Sequence, residues 1–275
     1  MPMPRIIRRL SYHPWVIRAV RGLGLREPFR KLYHRLASSR KGFLRVERGG
    51  LPVSFITRTP EQLRAVEAGS MESSLDLLAR FLQPGDTVYD VGSHVGVYSV
   101  LLAKVVGEKG IVIAFEPHHE IYEQLLENVR LNGLTNVRSF EKAVGERNCE
   151  EKLYIGEVVA NFSLLRGAIV GPPNRDIPYQ LVQVVQGDEF AEAERLPVPR
   201  AVKIDVEGFE YAVISGFRRT LSDPKCQIVC CEIHPKFLPP DVRAADIGGL
   251  LQSLGYNRIE AEPRDYPYDL IAYRQ

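Results

Sequence analysis

One acid stands at the mouth of a glycine-containing turn in residues 89–100, YDVGSHVGVYSV. Apolar runs on both sides of this turn predict a strand before Asp90 and a helix after Gly96. The spacing differs from the G-x-G-x-x-G pattern of dinucleotide sites, because Ser93 and His94 stand where a middle glycine would let a pyrophosphate approach. An ionised Asp90 would also repel phosphate. The pattern favours a ligand with positive charge and no phosphate, and S-adenosylmethionine fits this description.

Four residues of the turn are candidates for holding the methionine part of that cofactor: Asp90, Gly92, Ser93 and Gly96. The glycines would let the backbone bend around the ligand and approach it closely. The competing interpretation is a packing turn in which Asp90 only caps the following helix.

Two further positions favour the same cofactor. Glu116 ends the next predicted strand, in IAFEP, where an acid can accept hydrogen bonds from both ribose hydroxyls, although dehydrogenases share this device. Ala143 and Val144, in EKAVG, lie where a third strand would deliver small residues to the adenine. A buried strand end would explain these two residues equally well.

A cluster of acids occurs in residues 202–210, VKIDVEGFE, where Asp205 ends an apolar strand and Glu207 and Glu210 follow it. Such a cluster at the mouth of a sheet is costly unless it has a function, and an acidic surface loop is the alternative. No spacing here is as diagnostic of a metal as H-E-x-x-H, so we predict no metal.

The next strand ends in CCEIHP, which places Glu232 and His234 two positions apart and hence on one side of a regular strand. An acceptor group that loses a proton on reaction needs a base, and the candidate bases are Asp205, Glu207, Glu210, Glu232 and His234. An ordinary histidine pKa near 6.5 suits this task, whereas a structural histidine before Pro235 is the alternative. Asn161 and Ser163, in NFSLL, could reach the acceptor or the cofactor, or form a turn.

Strand and helix patterns alternate from residue 70 onward. The predicted strands are TVYDVG, IVIAFEP, VRSFEKAV, RAVKIDVEG, QIVCCEIHP, YNRIEAE and YDLIAYR, and the predicted helices are SSLDLLARFL, GVYSVLLAKVVG, EIYEQLLENVRLNG, FEYAVISGF and DVRAADIGGLLQSLG. This alternation predicts an α/β fold with a mostly parallel sheet covered on both faces, and the last two strands predict one antiparallel edge. Residues 145–190 break the pattern and predict a hairpin or lid over the carboxyl edge, where such sheets bind ligands.

The first 48 residues form a basic arm with 13 lysines and arginines against two acids. Since the whole chain carries a net charge of +2, the remainder carries −9. We predict two short helices in the arm, HPWVIRAVRGLG and EPFRKLYHRLAS, then a hairpin turning at Gly49 and Gly50. We therefore predict a basic extension of helices and a hairpin over residues 1–60 and a main domain over residues 61–275. The arm could contact an anionic membrane or a partner protein, or pack on the main domain.

The composition is typical of a globular protein, with 45% hydrophobic and 25% charged residues. No apolar run approaches the roughly 20 residues that span a bilayer, and arginines interrupt the N-terminal PRIIRRL, so we predict neither a membrane span nor a signal peptide. The four cysteines form no C-x-x-C pair and are predicted to be reduced core residues of a cytoplasmic protein, peripheral to the membrane if the arm binds lipid.

The motifs DVGSHVGVYSV, FEPHHEIYEQLLENVRLNG, NFSLL and above all VKIDVEGFEYAVISG occur in an order similar to that of the FkbM-type methyltransferases. The chain resembles this family over about residues 70–235, although Ser93 and His94 replace the Ala-Asn of its usual D-V-G-A-N-x-G. The resemblance implies a seven-stranded, Rossmann-like class I methyltransferase fold that uses S-adenosylmethionine, usually for O-methylation of sugars or secondary metabolites.

The resemblance also implies roles for individual residues. Asp90, Gly92 and Gly96 would hold the methionine part and Glu116 the ribose, while Asp205 would lie at the junction of cofactor and acceptor.

We therefore expect O-methylation of a small-molecule or glycan acceptor. A nucleic-acid methyltransferase is less favoured, because the main domain is acidic and no N-P-P-Y-type tetrapeptide occurs. A nicotinamide oxidoreductase is disfavoured by Asp90 and the missing middle glycine. The remaining alternative is a non-catalytic, membrane-associated assembly protein with a methyltransferase fold.

Overall fold

The structure is a computed structural model that describes residues 43–48, 50–69, 73–156, 162–165, 177–261 and 267–274. The two predicted helices of the basic arm and Asn161 lie outside these ranges. Within the ranges, no helix has both the length and the apolar character needed to span a membrane.

Strands and helices alternate along the described chain. The strands are β1 (Phe43–Arg48), β2 (Leu51–Ile56), β3 (Thr87–Val91), β4 (Ile111–Phe115), β5 (Val137–Phe140), β6 (Ala143–Gly145), β7 (Cys149–Ile155), β8 (Phe162–Ser163), β9 (Tyr179–Gln186), β10 (Ala201–Ile204), β11 (Ile228–Ile233), β12 (Arg258–Ala261) and β13 (Tyr268–Tyr273). The helices are α1 (Pro60–Gly69), α2 (Ser73–Phe81), α3 (Val97–Val106), α4 (His119–Leu131), α5 (Gly187–Ala193), α6 (Glu210–Gly216), α7 (Arg218–Ser222) and α8 (Ala244–Ser253).

Seven strands form the main sheet in the order β12-β13-β11-β10-β3-β4-β5. Six of them run in the same direction, and β13 runs antiparallel to both of its neighbours, β11 and β12. The predicted seven-stranded, mostly parallel sheet is confirmed, although the reversed strand lies second from the edge because β12 pairs outside it. The chain passes from β3 to its neighbour β4 and later adds β10 on the opposite side of β3. This reversal creates the crevice in which α/β sheets bind ligands.

The strands are buried on both faces, as their apolar sequences predict. Alternate residues of β3 contribute to two cores: Val88 packs with α2, α3 and α4, whereas Tyr89 packs with α6 and α8. All four residues of β10 are buried, as expected for the centre of a parallel sheet.

The predicted hairpin of β1 and β2 is confirmed, since Arg48 pairs with Leu51 in an antiparallel register. Leu44, Val53 and Phe55 are buried in the same core as α3 and α4. The hairpin therefore packs against the main domain, and the proposed division at residue 60 stays a prediction.

The predicted strand VRSFEKAV is in fact two strands. Its first half is β5, at the edge of the main sheet, whereas its second half is β6, which belongs to a second sheet of order β6-β9-β7-β8. The break falls at Glu141 and Lys142, between the two pairing partners. The second sheet occupies the interruption at residues 145–190 and includes the antiparallel pair of β7 and β9, so this region is a small sheet rather than a simple hairpin.

The four cysteines are free. Cys226, Cys230 and Cys231 are buried, as predicted for core residues. Cys149, at the start of β7, is only half-buried, because this strand lies in the smaller sheet at the surface rather than in the core.

Candidate active site

A cavity of about 300 Å³ lies at the carboxyl ends of β3, β4, β10 and β11. It brings together most of the residues predicted from the sequence: Asp90, Gly92, Ser93, Glu116, Ala143, Asp205, Glu207, Glu232 and His234. Gly96 and Glu210 do not line it. Gly96 instead faces α4, because a Cβ atom there would lie 2.4 Å from Cδ1 of Leu125.

The turn after β3 is fixed against two neighbouring strands. Gly92 has a φ of +82°, and a Cβ atom there would lie 1.8 Å from the carbonyl oxygen of Asp205. The hydroxyl of Ser93 donates to the carbonyl of Asp90 at 2.7 Å, and its amide donates to the carbonyl of Phe115 at 2.9 Å. Glycine is therefore required at position 92 for both its conformation and its lack of a side chain.

Asp90 is 1% exposed and accepts a 2.5 Å hydrogen bond from the hydroxyl of Ser99. The backbone amide of Ser99, in the first turn of α3, also donates a hydrogen bond to Asp90, so this carboxyl group caps the helix as well as lining the cavity. Burial raises the pKa of Asp90, while the nearby ammonium of Lys203 opposes this shift. The carboxyl group is thus placed at the cavity at an energetic cost, which favours a role in binding.

Glu116 is held by two backbone amides, one on each carboxylate oxygen. The amides of His94 and His118 each donate to it at 2.9 Å. Burial raises the pKa of Glu116 to about 7, against the effect of these two hydrogen bonds. Each oxygen keeps a second lone pair, so the fixed carboxylate can still accept hydrogen bonds from a ligand.

His94, which departs from the family pattern, lines the cavity with a φ of +49°. Burial lowers the pKa of His94 to about 4, so its ring is neutral at physiological pH. His94 therefore adds no positive charge that would repel a cationic ligand.

The floor of the cavity is an array of charged side chains. The ammonium of Lys203 lies 3.0 Å from Oδ2 of Asp205, and Nε2 of His234 lies 3.8 Å from Oδ1 of the same residue. Burial opposes ionisation of Asp205, but the charges of Lys203 and His234 lower its pKa below the ordinary value. Asp205 is therefore a charged carboxylate at neutral pH.

The environment of His234 differs from what its sequence position indicated. Its Nδ1 atom lies 2.8 Å from Oε1 of Glu210, and its ring stacks on Phe237. Burial lowers the pKa of His234, but the hydrogen bond with Glu210 and the charge of Asp205 raise it to about 9. The imidazole is thus protonated at neutral pH, which argues against His234 as the base that accepts a proton.

Glu207 has the properties expected of a base. It lines the cavity with a φ of +52°, a conformation that is rare outside glycine and frequent at functional sites. Burial raises the pKa of Glu207 to about 7, against the effect of the His234 charge. The hydroxyl of Ser163, from β8, donates to the carbonyl of Glu207 at 2.7 Å. Ser163 therefore uses its hydrogen to hold the loop of Glu207 and does not donate it into the cavity.

Lys203 lines the cavity and is a charged residue that was not predicted from the sequence. It lies in the apolar strand AVKI and is 2% exposed. The signal was present in the sequence: a charged residue inside a buried strand, two positions before Asp205 and therefore on the same face.

Comparisons with known proteins identify the family of this chain. The sequence profile of a family described as the methyltransferase FkbM domain matches residues 90–258, more than half of the chain. The hexuronic acid methyltransferase AglP of Haloferax volcanii is 26% identical over 201 residues, which cover 71% of this chain and 76% of that protein.

Similarities to solved structures are weaker. An O-methyltransferase of Thermotoga maritima that depends on S-adenosylmethionine has a TM-score of 0.44 at 15% identity, over 84% of this chain and 77% of that one. An rRNA methylase of Streptococcus thermophilus has a TM-score of 0.44 at 13% identity, over 73% of this chain and 93% of that one. At these scores neither structure informs the function.

Proposed function

Because the chain belongs to the FkbM methyltransferase family and is a methyltransferase that depends on S-adenosylmethionine, we propose that it methylates an oxygen atom of a sugar or glycan. The sugar is supported by the name of the relative AglP, a hexuronic acid methyltransferase. The oxygen is supported by the cavity, which presents carboxylates suited to accept a hydroxyl proton. The observation that carries the proposal is the convergence of Asp90, Glu116 and Asp205 in one cavity.

The residues present fit the cofactor. Asp90 and Asp205 would face the cationic methionine part, and the fixed carboxylate of Glu116 would accept hydrogen bonds from the ribose hydroxyls. Gly92 leaves the backbone beside this site without a side chain, and Ala143 presents a small surface for the adenine. When bound, S-adenosylmethionine supplies a methyl group that is electrophilic because it is bonded to a sulfonium.

Glu207 is our proposed general base. The cofactor would supply the methyl group and keep the electron pair of its carbon–sulfur bond, so the acceptor hydroxyl would have to lose one proton. The hydroxyl proton passes to the carboxylate of Glu207, whose pKa of about 7 lies near the working pH. Asp205 is a charged carboxylate that can orient the acceptor hydroxyl, and it is held by a hydrogen bond with Glu232 and by the nearby ring of His234.

The test is methyl transfer from isotopically labelled S-adenosylmethionine by the purified protein. Two matched oligosaccharides would serve as acceptors, one containing a hexuronic acid and one containing the corresponding hexose, with a structured RNA as the alternative. We expect labelled glycan whose mass has increased by one methyl group in place of one hydrogen. Label in the RNA and in neither glycan would overturn the sugar proposal, and label on a nitrogen or carbon atom would overturn O-methylation.

A further inference from the structure

The strand register places Lys203 beside Asp90 in the wall of the proposed cofactor site. Lys203 is the register partner of Asp90 in β3 and of Cys230 in β11. Because side chains alternate along strands, Glu232 lies on the same face as Cys230, and Asp205 lies on the same face as Lys203. Three carboxyl groups from three chain segments therefore surround one ammonium group.

The contacts of Lys203 agree with this placement. Its Nζ atom lies 3.0 Å from Oδ2 of Asp205 and 4.7 Å from the ring centroid of Tyr98 in α3. Burial lowers the pKa of Lys203, but the negative carboxylates around it, Asp205 first, raise it well above the ordinary value. Lys203 is therefore a permanent cation at neutral pH.

Lys203 also contributes positive charge to the cluster formed by Asp205, Glu232 and His234. Atoms of Asp205, Glu232 and His234 lie within 4.8 Å of one another, a spacing at which a divalent cation could contact all three. The ammonium of Lys203 already lies against Asp205 and, with the protonated ring of His234, offsets the charges of these carboxylates.

We propose that Lys203 is a positioning residue for the methyl donor, whose ammonium keeps Asp90 and Asp205 ionised and oriented so that both can hold the cationic methionine part. The inference rests on the proposed arrangement of S-adenosylmethionine in the cavity. Without Lys203, the carboxyl groups of Asp90 and Asp205 would face each other and Glu232. The ring of Tyr98 would be a further neighbour, and His234 would be the remaining cation. Burial and mutual repulsion would then raise the pKa values of Asp90 and Asp205, and protonation would weaken donor binding.

The experiment is calorimetric titration of S-adenosylmethionine into the full chain at pH 6 and pH 9, for the wild type, Lys203→Met and Lys225→Met. Lys225 is an exposed lysine outside the cavity, and its variant should match the wild type. We expect Lys203→Met to bind the donor at least tenfold more weakly than the wild type at pH 6. The ratio of the two dissociation constants should be at least fivefold smaller at pH 9, where the carboxyl groups of Asp90 and Asp205 ionise again in the variant.

Loss of packing alone would weaken binding equally at both pH values, and that result would overturn the proposal, as would unchanged affinity at pH 6. Failure of the wild type to bind the donor would instead refute the proposed cofactor arrangement. If Lys203→Met does not fold, NMR of the wild type labelled at lysine Cε provides the second measurement. A signal of Lys203 that stays in the charged form above pH 10 supports the proposal, and titration below pH 10 overturns it.

Discussion

Nδ1 of His234 lies 2.8 Å from Oε1 of Glu210, a carboxylate with no exposed surface, and this contact holds the imidazole in its charged form. Glu210 also accepts a 2.8 Å hydrogen bond from the amide of Gly208, which fixes the carboxylate in the loop after β10. The pair joins the end of β11 to the start of α6, next to the proposed acceptor site. Its electrostatics have consequences for both stability and catalysis.

Stability should depend on the protonation of His234. Its pKa is about 9 in the folded protein and about 6.5 in an unfolded chain, so the folded state holds more protons between these values. The stabilisation is complete below pH 6.5 and is lost as the pH rises through 9, by about 3 kcal/mol at roughly 1.4 kcal/mol per pKa unit. Denaturant unfolding at several pH values measures this fall.

Glu210→Gln should reduce most of that pH dependence, because the raised pKa of His234 requires the carboxylate partner. His119→Gln is the matched control, since His119 is an exposed histidine that also contacts a glutamate, Glu141. An equal fall in all three proteins would show that the Glu210–His234 pair is not its source.

Donor binding should depend on the ionisation of Glu116, whose pKa is about 7. Only the carboxylate form can accept hydrogen bonds from both ribose hydroxyls, so donor affinity should increase as the pH rises through 7. Glu116→Gln should weaken binding by about 1–3 kcal/mol and remove this part of the pH dependence. Calorimetric titration across pH 5.5–8.5 tests it, and Glu207→Gln, which should retain the dependence, is the control.

The catalytic rate should depend on Glu207 in a different way. Glu207→Gln should lower turnover by about 10²–10⁴, the usual contribution of a general base, with little change in donor affinity. In the wild type, turnover should rise with pH through about 7, as Glu207 becomes ionised. His234→Gln serves as the comparison in single-turnover measurements. A larger loss of rate in His234→Gln than in Glu207→Gln would indicate that the histidine is the base.

Local patterns in the sequence were sufficient to predict which residues meet in the cavity. Asp90 lies near the end of a short strand, Glu116 and Asp205 each follow one, and parallel strands bring their carboxyl ends to one edge. The state of each group could not be predicted in this way. The raised pKa of His234 results from Glu210, which reaches it only through tertiary packing.

The position of β13 also required information that local patterns lack. The sequence showed two final strands without a helix between them, but whether the reversed strand pairs inside or outside β12 depends on contacts with β11. The split of VRSFEKAV has the same origin, because β6 pairs with β9, which lies more than 30 residues further along the chain.

Gly92 allows a test of how closely the loop of Asp205 must approach the turn after β3. Gly92→Ala would meet two obstacles, a φ of +82° and a Cβ atom 1.8 Å from the carbonyl oxygen of Asp205. Gly133→Ala is the matched control, because Gly133 has a φ of +63° with nothing within 4 Å of the added atom. The free energy of unfolding of the control should fall only by the cost of a left-handed conformation, about 1–2 kcal/mol.

The loss in Gly92→Ala should be clearly larger, because backbone atoms rather than a flexible side chain must move. Since Asp205 would be displaced with its carbonyl, donor affinity should fall in Gly92→Ala and stay unchanged in Gly133→Ala. Chemical unfolding and calorimetric titration of both variants provide the two measurements. Equal losses of stability and equal donor affinities would mean that the contact between Gly92 and Asp205 is not needed to form the site.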